Sequence, residues 1–98
     1  MLGHNAALEG VCAVYASLVA PCERWRDTQV AAAWHTFDRA MMTAAREANR
    51  TGDWRSHERV WTAAQADRAK LTSAAWATYR NATTATNNWF LDRLRRVL

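Results

Sequence analysis

Residues 81–88 read Asn-Ala-Thr-Thr-Ala-Thr-Asn-Asn. Thr and Asn are mediocre helix formers, because their short polar side chains compete for backbone hydrogen bonds. At ~0.6 kcal/mol each relative to Ala, the six of them cost a helix interior about 3–4 kcal/mol. The flanking pattern argues the other way. On a wheel of about 100° per residue with Trp61 at zero, Trp54 falls at about +20°, Trp76 at about +60° and Tyr79 at about 0°. Phe90, Leu94 and Val97 fall at about +20°, +60° and 0°. The phase is kept from Trp54 to Val97, as one helix would keep it. The propensity cost favours a break or kink, with Asn87 or Asn88 capping a last helix.

Pro21 is the second breaker. It ends a first helix, capped by Asn5, whose face is Leu8, Val11, Cys12, Tyr15, Leu18 and Val19. It also opens a second helix, where a missing N–H costs nothing. Along that second helix Val30, Trp34, Phe37, Met41, Ala44 and Ala48 form a heptad-like seam. Trp25 lies about 180° from Trp34 and is expected against the first helix. Thr51 and Gly52 stop the helix, and Asp53 is a natural N-cap for the next. The expected fold is all-α, a compact bundle of three to four helices over 6–19, 22–50, 53–80 and 88–97, in a single domain spanning 1–98. In the alternative, the last two form one long kinked helix. Unbroken from 53 to 98 it would be about 69 Å long, and the first two, roughly 21 and 43 Å, would have to lie end to end to cover it.

Composition agrees with the helical class. The chain has 98 residues, half of them hydrophobic and 22% charged, a globular balance for one small domain. Its 21 Ala stand against 3 Gly and 1 Pro, and Ala is the best helix former. No stretch alternates apolar and polar residues as a half-buried strand would.

Several function classes find no support. No run of about 18 apolar residues suggests a spanning helix. No Lys or Arg precedes Arg24, so a secretory signal or lipoprotein anchor is not the expectation. The expected location is the cytoplasm, with no membrane partner. Cys12 and Cys22 are expected reduced and buried. His4, His35 and His57 are isolated from one another and from carboxylates at ligand spacing, which argues against a metal. Cys12 sits in the most apolar segment, where a thiol is a poor nucleophile. Gly3, Gly10 and Gly52 form no phosphate loop. The reading is a non-enzymatic chain without cofactor.

Charge and tryptophan point to binding. Residues 1–52 are neutral overall, and the whole net +4 falls in residues 53–98. Six Trp cannot all be buried in so small and Ala-rich a chain, and Trp and Arg are the types enriched at binding hot spots. Two partner-binding patches follow: Trp54 with Arg55 and Arg59, and Trp89 with Arg93, Arg95 and Arg96. The expected function is protein–protein contact, with an acidic partner or a second copy, as in an adaptor or a phage or mobile-element inhibitor of a host complex. The alternative partner is nucleic acid, since Arg beside aromatics binds single strands by stacking.

A helical chain of about this length, with a mid-chain turn beside a Gly and a Trp, resembles the small secreted helical hairpins that carry a W-x-G turn. The likeness lies in length and topology. The turn here reads Thr51-Gly52-Asp53-Trp54, with Gly before Trp. That family's export signal, a Tyr with an acid four residues on, is not met, because Tyr79 is followed at 83 by Thr.

Overall fold

The computed structural model describes residues 2–98, with side chains from Asn5 onward. The expectation for His4 lies outside the described side chains. The described chain is all-helical, with two helices: α1, Leu2–Thr51, and α2, Trp54–Val97. The all-α class stands, and the compact bundle of three to four helices is corrected to two.

Each expected breaker is absorbed. Asn5 lies inside α1 and does not cap it. Pro21 also lies inside α1. Its ring removes one N–H donor, at a cost of about 3 kcal/mol in a helix interior. The covered face continues on both sides of it through Tyr15, Val19, Cys22 and Arg26, and packing carries the helix through. Residues 81–88 stay helical, and three of their polar side chains find partners. Thr83 is 2% exposed, and its hydroxyl donates to the Tyr79 carbonyl at 2.8 Å. The Thr84 hydroxyl donates to the Arg80 carbonyl at 2.7 Å, and Asn87 Oδ1 accepts from the Tyr15 hydroxyl at 2.8 Å. Groups that would otherwise compete with the helix bond to it or across it.

The chain divides into two compact units. A terminal unit joins Met1–Arg26 to Ala77–Leu98, and a central unit comprises Asp27–Trp76. In the terminal unit the covered face of α1 runs Leu8, Val11, Tyr15, Val19, Cys22, Arg26, against Tyr79, Thr83, Thr86, Phe90, Leu94 and Val97 of α2. The rings of Tyr15 and Phe90 lie 4.3 Å apart between centroids, and the Arg26 guanidinium stacks 4.4 Å from the Tyr79 ring centre.

In the central unit the buried residues are Ala33, Ala44, Ala48 and Ala75. The expected seam on α1 is right at Val30, Phe37, Met41, Ala44 and Ala48. It fails at Trp34, which is 44% exposed, while Ala33 takes the inner place. On α2, half-buried Ala64 and Arg68 and buried Ala75 fall at about −60°, −20° and −40° on the wheel set by Trp61. The contact face is therefore turned away from the tryptophans, by about 40° from Trp61, about 60° from Trp54 and about 100° from Trp76. Trp61 and Trp76, expected on the covered stripe, stand 47% and 41% exposed.

The units' helices are joined within the central unit by a short turn. Gly52 has φ +78°, a left-handed conformation that L side chains adopt at a cost of about 1–2 kcal/mol. Its N–H reaches the Ala48 carbonyl at 2.7 Å. Asp53 caps α2 as expected: its carboxylate accepts from the Ser56 N–H at 3.2 Å and from the Ser56 hydroxyl at 2.8 Å.

Candidate interaction surfaces

At the turn, Trp54 is 50% exposed, and Arg55 and Arg59 are exposed too. The three do not converge. At 100° per residue Arg55 and Arg59 project about 100° and 140° away from Trp54. The Trp54 ring leans on His57, with centroids 5.2 Å apart, and Arg59 donates to the Ser56 hydroxyl at 3.1 Å. Hydrogen bonds from Ser56 hold the Asp53 carboxyl below its ordinary range. Across the turn Arg50 bonds Glu47; this lowers the Glu47 carboxyl and raises the Arg50 guanidinium.

The second patch is more integrated. Trp89 is half-buried, with the Arg93 guanidinium 5.9 Å from its ring centre. Arg96 pairs with Asp92 at 3.2 Å, both largely exposed, and Arg95 is exposed. The two patches belong to different units.

The sequence reading missed the tryptophans between them. Five of the six Trp are at least 41% exposed, Trp89 being the half-buried one. In the central unit Trp54 and Trp61 are seven residues apart, and Arg68 follows after seven more. The Arg68 guanidinium lies 4.0 Å from the Trp34 ring centre and 5.7 Å from that of Phe37. Its Nε is buried without a hydrogen-bond partner, so the aromatic faces are what stabilise the charge there. Trp34 thus carries an Arg on one face and meets Phe37 edge-on at 5.8 Å. The close approach expected at the Ala-thin end of the seam, Ala44 and Ala48, extends to Ala40 and Ala33, and Trp34 stands beside it. Beside that seam a cleft of about 470 Å³ has a floor of Ala40, Ala44, Ala48 and Val60 and a rim of Arg39, Glu47, Asp53 and His57.

Two expectations fall in the terminal unit. Cys12 is exposed rather than buried, and both thiols are free. Ten residues apart on one helix, they lie about 15 Å apart along its axis, beyond disulfide reach. Trp25 has no first helix to fold against, because α1 is continuous. It is 42% exposed and lines a shallow cleft with Pro21, Cys22, Thr78, Tyr79 and Ala82.

Continuity through Pro21 also lengthens the apolar stretch. By length and composition alone, α1 is apolar enough to cross a membrane, and little of that window is buried within the protein. Among the described residues, no three His, Cys, Asp or Glu side chains gather as a metal site. No family model, no curated protein and no solved structure matches the chain.

Proposed function

We propose that this chain is a non-enzymatic contact module that works by protein–protein association through the tryptophan flank of its central unit. The observation that carries this reading is an inverted distribution of side-chain size. Alanines fill the inside, while Trp34, Met42, Trp61 and Trp76 stand 41–56% exposed. A soluble helical pair gains most by burying its bulkiest apolar groups. Leaving Trp outside forgoes that gain, and a partner that covers the rings recovers it. An adaptor or an inhibitor of a larger complex is the kind of protein that works this way, and a cytoplasmic location suits it.

The test uses Trp34→Ala/Trp61→Ala in the native host. A partner retained by the wild-type chain is expected to be lost by this variant while its helix content stays unchanged. Retention of every partner by the variant overturns the reading. The nucleic-acid alternative is checked in parallel. Steeply salt-dependent binding of single-stranded DNA, lost in Arg93→Ala/Arg95→Ala/Arg96→Ala, would replace the protein-contact reading.

One observation favours a second reading. Two helices joined at Gly52–Asp53, with Trp54 directly after, match the topology of the secreted W-x-G hairpins, although the motif order and the export signal depart from theirs. Accumulation of the chain in the culture medium of its host supports this reading; retention inside the cells overturns it.

A further inference from the structure

We propose that one flank of the terminal unit is an interface for an anionic lipid surface, on which the unit lies without spanning the bilayer. Along α1 the positions Ala7, Val11, Val14, Leu18 and Trp25 recur on one side, beside the covered face. Val14, Leu18 and Trp25 are 46%, 50% and 42% exposed. The shallow cleft where Pro21 and Trp25 meet Thr78 and Ala82 puts those positions of α2 on the same side. Continuing from Ala82 by steps of seven, four and three gives Trp89, Arg93 and Arg96.

On α1 this flank carries no acid: Glu9 and Glu23 project about 80° and 40° to the other side of Val19. On α2 its one acid, Asp92, pairs with Arg96 at 3.2 Å and leaves Arg93 as the flank's excess cation. The terminal unit holds six Arg against Glu9, Glu23 and Asp92, a net +3. An apolar stripe with Trp, edged by Arg and free of acids along α1, has the make-up of a helix that lies in a headgroup layer. Anionic headgroups complement the arginines, and the acyl boundary takes Leu18 and Val14.

Insertion across the bilayer is disfavoured by the same unit. It would tear Tyr15 from Asn87 and Phe90 and carry Glu9 into hydrocarbon, where a charge is expensive. Lying on the surface keeps those contacts intact.

The experiment is cosedimentation of the full chain with large vesicles of phosphatidylcholine alone or containing phosphatidylglycerol. The chain is expected to partition at least about tenfold more strongly onto the anionic vesicles. Leu18→Asp, at an exposed position, should weaken partition by at least about tenfold. Arg93→Ala and Arg96→Ala should cost about fivefold each. Trp61→Ala, in the central unit, should partition as the wild type does. Circular dichroism checks that each variant is folded, and the arginine variants stand independently should Leu18→Asp misfold. Absence of binding to anionic vesicles overturns the proposal, as does binding indifferent to the Leu18 and Arg variants. A concentration-dependent dimer in light scattering, abolished by Leu18→Asp without any vesicle binding, would also overturn it and assign the flank to a second copy.

Discussion

The two units pair the same two helices by opposite means. The terminal unit is held by large and polar side chains that reach across: the Tyr15 hydroxyl on Asn87, the Tyr15 ring on Phe90, Arg26 on Tyr79. The central unit is held by small side chains that let the backbones approach, with Ala33, Ala44, Ala48 and Ala75 inside. Reaching across tolerates a polar residue on the seam if it finds a partner. Close approach puts methyl groups at the fully buried positions, larger side chains such as Phe37 and Met41 at half-buried ones, and the tryptophans outside. The difference explains why the most helix-averse segment, 81–88, and the largest side chains of the chain both ended where propensity and hydrophobicity did not put them.

The largest effect expected is a gain. Pro21→Ala restores a missing donor inside α1 and removes a ring clash, which together are worth up to about 3 kcal/mol. Urea unfolding of this variant should shift to higher concentration. No shift, or a loss, would mean that Pro21 is needed for the geometry of the terminal unit. In the central unit the expected effect is a loss. Ala48 is 1% exposed, and Ala48→Leu forces the helices apart at about 1–3 kcal/mol. Trp61→Ala, although it deletes far more atoms, should stay within about 1 kcal/mol, because half of the ring already faces water. If the tryptophan substitution proves costlier than the alanine one, the close-approach account of this unit fails.

These contrasts also mark what was readable in the sequence. The helical class, the Asp53 cap, the Gly52 stop and the α2 phase at Tyr79, Phe90, Leu94 and Val97 followed from residue type and spacing. So did most of the α1 seam. The helix count did not follow, because propensity prices each Thr and Asn alone. The hydroxyls of Thr83 and Thr84 found carbonyls one turn back, and Asn87 found Tyr15, a partner 72 residues away. Trp34, Trp61 and Trp76 were placed inside on hydrophobicity. On α2 the contact face lies about 40° from Trp61 and about 100° from Trp76, and on α1 Ala33 takes the inner place beside Trp34. Of the candidate site residues, Trp54 and the arginines are exposed as binding would require. The isolated grouping of Trp54 with Arg59 was an artefact of closeness in sequence.

A smaller effect tests the terminal unit's way of pairing. Tyr15→Phe keeps the ring against Phe90 and removes the hydroxyl that Asn87 accepts from. The expected loss is about 1 kcal/mol. In a double-mutant cycle with Asn87→Ala, the two losses should fall well short of adding, because both delete one hydrogen bond. Additive losses would show that the register of this unit is set by ring packing alone.

The smallest effect separates the units by pH. The seam bond of the terminal unit joins a phenol to an amide and involves no carboxylate. The turn of the central unit rests on carboxylates. Hydrogen bonds from the Ser56 hydroxyl and N–H lower the Asp53 carboxyl from its ordinary value of 3.8, and the bond from Arg50 lowers Glu47 from 4.5. A carboxyl lowered on folding adds stability that is fully present above its unfolded pKa and disappears as the pH falls through the folded one. Both groups are exposed, so solvent screens most of the effect. Between about pH 5 and pH 3, amide hydrogen exchange at the start of α2 should therefore speed up slightly beyond its intrinsic pH dependence, while the amides around Asn87 should not. Asp53→Asn keeps a capping oxygen but no longer titrates, so it should flatten the part of that response that Asp53 supplies. An unchanged response in the variant would locate the acid sensitivity at the Glu47–Arg50 pair, on the α1 side of the turn.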